Sequence, residues 1–169
     1  MASIEKFLGR RVDIPEDRRY HVKQGLWAKP DGKEIIVGLT EPALVLAGVL
    51  NDLDWLVPDG QAVREGKAVA FAITGKVLYI NSPFKGTIHF NSEVKEFLSL
   101  VPEDPYGKGW LFKIKPDSES EDVLQRLADD REYPESLKGT DGFKNLEGLK
   151  GGVSRICKAV YSGIREQKI

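Results

Sequence analysis

Cysteine occurs once in this chain, at Cys157, and histidine twice, at His21 and His89. One cysteine excludes an internal disulfide framework and every multi-cysteine metal site. Two histidines are too few for most histidine-based metal or triad chemistry. An excess of charge of one sign is also missing: Lys+Arg 25 against Asp+Glu 26 leaves a formal net charge of −1. The composition therefore points to neither nucleic acid nor an anionic membrane as partner. No apolar run approaches the roughly 20 residues of a membrane span, and Met1-Ala2-Ser3-Ile4-Glu5 does not open a signal peptide. The expectation is a cytoplasmic protein. Catalytic signatures are lacking as well: there is no Gly-x-Ser-x-Gly, no Gly-rich phosphate loop ending in Lys-Ser/Thr, and no His-Glu-x-x-His. The chain does not read as an enzyme, and no residue is assigned to catalysis or to a metal.

What is present is 169 residues, 41% hydrophobic and 30% charged, which suits one globular domain with an appendage. Residues 1–19 form a short charged lead-in, with Arg10-Arg11 and Arg18-Arg19 around Pro15. From 20 to about 116, turn signals recur at Pro30-Asp31-Gly32, Pro58-Asp59-Gly60, Glu65-Gly66, Thr74-Gly75, Ser82-Pro83 and Lys85-Gly86. The runs between them, 34–39, 67–73, 77–80 and 86–90, read as strands of a small sandwich or barrel. Thr40 to Gly48 reads as a short helix, with a capping threonine, Pro42 in the first turn and a terminal glycine. A second helix is predicted over about 118–130. There Ser118 and Glu121 have capping-box spacing and Val123, Leu124 and Leu127 share a face.

Glycines at 139, 142, 148, 151 and 152 make a flexible connector of the start of 138–169. Beyond it Val153, Ile156, Cys157, Val160, Tyr161 and Ile164 recur at the spacing of an amphipathic C-terminal helix, with Arg155, Lys158, Arg165 and Lys168 opposite. Docking on the body is the first reading of that stripe; a partner enzyme and a membrane surface are the others. Cys157, inside the stripe, reads as a buried inert thiol. His89 reads as a sheet-face residue.

One lysine stands apart. Lys76 follows Thr74-Gly75, read as a two-residue hairpin loop between two strand-like runs. A lysine there projects into solvent while its backbone is pinned by paired strands, which is what covalent attachment of a cofactor requires. The bland alternative is an ordinary exposed turn lysine, and such lysines are common.

The stretch Asp104-Pro105-Tyr106-Gly107-Lys108-Gly109-Trp110-Leu111-Phe112-Lys113-Ile114 closely resembles a motif of the glycine cleavage system H protein family. Asn91, Ser82-Pro83 with Gly86, and Gly38-Leu39-Thr40 with Ala43 and Gly48 resemble further family positions, so the likeness covers about 20–137. It implies a mainly β, lipoyl-domain-like β-sandwich (a barrel-sandwich hybrid) with short flanking helices. It further implies lipoic acid amide-linked to Lys76 at a hairpin tip. A lipoate-protein ligase or lipoyl transferase would attach it. The arm would carry an aminomethyl group from glycine decarboxylase to aminomethyltransferase, then be reoxidised by dihydrolipoyl dehydrogenase. Trp110, Leu111 and Phe112 are implied to pack the sheet core.

Three departures accompany the likeness. Counted from Gly66 the lipoyl position is Lys76, whereas counted back from Ser82 it is Gly75; a shorter outgoing strand reconciles the two. Ile73-Thr74-Gly75 replaces the family's Glu-Ser-Val, whose glutamate helps attaching enzymes recognise the hairpin. Residues 139–169 extend past the usual end. These features resemble the lipoate-binding proteins of bacterial sulfur oxidation, whose partner is a heterodisulfide-reductase-like complex. An H-like interaction module without cofactor is a third reading. A biotin carrier is disfavoured, because Met-Lys-Met is missing around Lys76.

Overall fold

The computed structural model describes residues 2–144. The helix expected from 153 onward, and Cys157 with it, lies outside the described residues. Eleven short strands make up the body: β1 (Ala2–Phe7), β2 (Arg10–Ile14), β3 (Arg19–His21), β4 (Leu26–Asp31), β5 (Glu34–Leu39), β6 (Asp52–Trp55), β7 (Ala62–Val63), β8 (Ala68–Ile73), β9 (Val77–Asn81), β10 (Gly86–Phe90) and β11 (Phe112–Pro116). They pair, antiparallel throughout, as a six-stranded sheet in the order β3-β4-β5-β11-β10-β7, a three-stranded sheet β6-β8-β9, and a hairpin β1-β2. The fold is the expected mainly β sandwich. Among the described residues no helix is long and apolar enough to cross a membrane.

Strand alternation decides which side chains meet. Leu26 and Ala28 of β4, Ile35 and Val37 of β5, and Phe112 and Ile114 of β11 face the small sheet, where Leu53, Val69, Ala70, Ala72 and Ile80 close the main core. The opposite face of the large sheet holds a second core: Trp27 and Tyr20 packed with Phe7, Val12 and Ile14 of the hairpin and with Tyr133 and Leu137. The large sheet is therefore covered on both sides, and the N-terminal residues form its second cover.

That hairpin is absent from the sequence reading, which assigned no strand to 1–19. Its turn is Leu8-Gly9, with φ of 53° and 79°, the paired positive values of a type I′ connection. Leucine rarely adopts this conformation; here the Leu8 N–H donates to the Gly142 carbonyl at 3.0 Å. Gly142 in turn sits where a Cβ would come within 2.1 Å of the Phe7 ring. Part of the supposed connector is thus packed: the single 3-10 turn Leu137–Gly139 and the helical turn Asp141–Lys144 lie on the body, the latter against the hairpin.

The first helix, α1 (Glu41–Ala47), is as read. The Thr40 hydroxyl accepts from Ala43 N at 3.1 Å, and Gly48 takes φ 86°. Two one-turn helices follow β10, α2 (Glu93–Glu96) and α3 (Leu100–Glu103). The helix expected over 118–130 shrinks to α4 (Ser120–Leu124), capped at Glu119 with no side-chain bond, so the Ser118–Glu121 capping box does not form. Tertiary pairing ends it: Tyr20 and Ala128 exchange both backbone hydrogen bonds (2.8 and 3.0 Å), giving the edge strand β3 a partner that a continuing helix would deny it. The chain then turns through α5 (Glu132–Ser136) and, after the 3-10 turn, α6 (Asp141–Lys144).

The motif from Asp104 is a tightly closed turn. The Asp104 carboxylate accepts from Lys108 N (2.9 Å), and Asn91 Nδ2 donates to the carbonyls of Lys108 and Trp110 (3.1 and 2.8 Å). A Cβ at Gly109 would meet the Leu100 carbonyl oxygen at 2.4 Å, so no larger residue fits. Leu111 and Phe112 are fully buried, but Trp110 is not: it lies half-buried on the second core with the Lys113 ammonium 5.3 Å above its ring. This corrects the expectation of three core side chains: Trp110 lies before β11, in the backbone leaving the Asp104 turn, where the alternation that begins at Phe112 does not yet hold, and its ring falls on the second core. Phe112→Ala should therefore cost ~3–5 kcal/mol in chemical denaturation, and Trp110→Ala about half of that. Equal losses would put Trp110 back in the core.

Candidate functional site

The hairpin β8–β9 carries the candidate lysine. Its register runs Phe71↔Tyr79, Ala72↔Leu78, Ile73↔Val77, which leaves Thr74, Gly75 and Lys76 as a three-residue loop. The two-residue loop of the sequence reading is thus one short: Val77, not Lys76, closes the ladder, with Gly75 central and Lys76 last before the strand. Lower down, the register shifts by one between Ala68 and Ala70. The incoming strand carries one residue more than the outgoing strand can match, and a bulge absorbs it.

The loop is held from beneath. Thr74 N donates to the Lys76 carbonyl at 2.8 Å, Asn51 Nδ2 to the Thr74 carbonyl at 3.1 Å, and Asn51 N to the Ile73 carbonyl at 2.7 Å. Thr74 is buried, while Gly75, Lys76 and Val77 are exposed. Among the described residues no side chain pairs with the Lys76 ammonium. The result is a fixed backbone presenting one free amine to solvent.

A second brace escaped the sequence reading. Gln24 Nε2 donates to the Asn81 carbonyl at 3.0 Å and Gln24 Oε1 accepts from Asn81 N at 2.7 Å. β9 is an edge strand of the small sheet, and this one amide supplies both hydrogen bonds a neighbouring strand would have made. Nothing local marks Gln24, which lies far from Asn81 in sequence.

Beside the hairpin a cleft of about 220 Å³ opens between Leu39, Leu44 and Leu50 on one side and Ala72, Thr74 and Leu78 on the other. Its apolar walls suit a hydrocarbon or sulfur-containing chain better than a charged group. His89 lies on the other sheet, exposed, with Nδ1 3.2 Å from the Asp59 carboxylate. The Phe90 N–H and then His89 hold that carboxyl below its usual range. It is a surface pair remote from the hairpin loop, not a partner of Lys76.

Residues 18–140 match the family model described as Glycine cleavage H-protein. The chain belongs to the glycine cleavage H-protein family. Its members are carriers of covalently attached lipoate, not catalysts. A glycine cleavage system H protein of Thermus thermophilus is 35% identical over 131 residues, covering 75% of this chain and 98% of the relative. Glycine cleavage system H protein 5 of Aquifex aeolicus is 36% identical over 133 residues, 74% and 87% of the two chains. The crystal structure of the H protein from Mycobacterium marinum superposes with a TM-score of 0.61 at 28% identity, covering 72% of this chain and 97% of that one. The family match begins at residue 18, after the β1–β2 hairpin. The hairpin thus lies outside the residues that the family model matches.

Proposed function

We propose that this H-protein family member is a lipoyl carrier whose arm is amide-linked to Lys76 and serves several enzymes in turn. The observation that carries this reading is the unpaired, exposed amine on a loop pinned by Thr74 and Asn51. When bound, the dithiolane supplies reversible two-electron disulfide chemistry and a thiol that accepts a transferred group. The chain's own contribution is positional. The clamped β8–β9 loop keeps the swinging arm rooted at one point, and tethering sets its effective concentration at each enzyme it meets. The cleft beside the hairpin offers the arm an apolar resting place. A lipoate-protein ligase or lipoyl transferase is the attaching partner. Glycine decarboxylase, aminomethyltransferase and dihydrolipoyl dehydrogenase are the enzymes served.

A second reading has one observation in its favour. Gly75 occupies the loop centre, behind Ile73-Thr74 where the family has Glu-Ser, which suits an H-like interaction module that carries no cofactor. Intact-mass spectrometry of the protein from its native host, with the peptide around residue 76 sequenced, separates the two. A lipoyl adduct on Lys76 is the expected result. A chain of unmodified mass throughout growth would leave the module reading.

A further inference from the structure

A broad groove flanks α1. It measures about 480 Å³ and lies between α1, the β1–β2 hairpin and the α2–α3 turn, with Val45, Val49, Leu50, Leu98 and Pro102 among its walls. Val49 is 78% exposed and Leu46, one turn back, 37%. A valine so bare, beside an apolar trough, is a surface awaiting cover.

The chain's own path says what covers it. α6 ends the described residues at Lys144, and it packs on α1, which borders the groove, and on β1, whose hairpin partner β2 borders it too. α1 is seven residues long, or about 10 Å. Residues 145–152 reach up to ~26 Å when extended, enough to pass along the whole helix. Directly after them come Val153, Ile156, Cys157, Val160, Tyr161 and Ile164, whose spacing puts six apolar side chains in one stripe. At the rim the Arg11 guanidinium lies 3.7 and 3.4 Å from the Glu5 and Asp13 carboxylates. A tethered stripe meets the groove at millimolar effective concentration, against which a free second copy competes poorly.

We propose that the C-terminal segment 153–164 seats its apolar stripe in this groove, on its own chain. The groove shares Leu44, Gly48 and Leu50 with the cleft beside the Lys76 hairpin. The seated segment accordingly stands next to that cleft.

The single native cysteine makes the test direct. Val49→Cys places a second thiol in the groove at a position too exposed to matter for folding. Under mild copper–phenanthroline oxidation, the full-length variant should form an intramolecular disulfide with Cys157. The crosslinked monomer will run faster on a non-reducing gel and revert with dithiothreitol. Lys33→Cys, on the β4–β5 turn, should give no such band. Disulfide-linked dimers in place of the monomeric crosslink would overturn the proposal in favour of a second copy, and two free thiols would overturn it outright. A second measurement needs no engineered thiol: Cys157 in the folded wild type should react with a thiol reagent at least tenfold more slowly than in urea. Val49→Asp should restore most of that rate. Equal rates in folded and unfolded wild type would refute the docking. Neither readout involves lipoate, so failure here leaves the carrier reading untouched.

Discussion

Lys76→Ala will leave the protein without its lipoyl group and with a melting temperature within about 1–2 °C of wild type. The two halves of this expectation come from different atoms. The ammonium of Lys76 makes no hydrogen bond or ion pair with a described side chain, so truncating it removes no polar interaction. Its backbone carbonyl, which accepts from Thr74 N at 2.8 Å, is kept by alanine. Exposed substitutions of this kind stay within about 0.5 kcal/mol, which for a chain of this length shifts the midpoint by no more than about 2 °C. Modification, by contrast, is all or none, because an amide bond needs the amine. Mass spectrometry and a thermal melt on the same sample check both halves. An adduct that persists in the variant, on exposed Lys67 or Lys85, would show that the attachment register is misread.

Alkali should unfold the protein cooperatively in the two to three pH units above 10. Three tyrosines line the junction between the large sheet, the N-terminal hairpin and α5. Tyr20 and Tyr133 stack with centroids 4.9 Å apart, the Tyr20 hydroxyl donates to the Pro15 carbonyl, and the Tyr133 hydroxyl shares a 2.7 Å hydrogen bond with Thr40. The Tyr106 hydroxyl donates to the Asp13 carbonyl at 2.5 Å and accepts from Glu41 N at 3.0 Å. Burial raises all three phenols, Tyr133 to about 12 and the other two further. A raised acid gives stability that is fully present below the unfolded pKa near 10 and is lost as pH climbs toward the folded value. Each phenol removes about 1.4 kcal/mol per pH unit in that window, so three remove about 4. A total stability of about 5–15 kcal/mol cannot outlast that for long. Phenolate absorbance from these three should therefore rise together with loss of the β-sheet circular dichroism. A buried tyrosine that ionises near pH 10 in a still-folded protein would contradict the packing described. Tyr133→Phe should move the transition to higher pH.

The central strands were legible because alternation and turn chemistry are local. Ile35 and Val37 against Glu34 and Ile36, or Ile88 between Thr87 and His89, announce a strand without a neighbour. The first helix announced itself through Thr40, Pro42 and Gly48, each acting on backbone within one turn. The motif from Asp104 identified the family because its glycines and carboxylate close a turn that few other residues can make. The lysine was legible as a turn residue, though the loop is one residue longer than Thr74-Gly75 suggested.

Contacts distant in sequence decided the rest. The N-terminal hairpin turns through Leu8-Gly9, which lacks the usual Asn-Gly signal; it is stabilised by Gly142 and Phe143, which reach it from the far end of the described chain. The helix after residue 118 stops at Leu124 because β3 needs Ala128, a need that no local propensity expresses. Gln24 braces β9 of the lysine-bearing hairpin for the same reason. Sequence alone determined the fold class and the family and set Lys76 beside a hairpin turn, since these rest on residues that act on their own neighbours. Only the tertiary structure decided where helices end, which tryptophan is core and what holds the hairpin still. Those are choices among partners, and a backbone group or an aromatic ring takes the partner that the folded chain brings within reach.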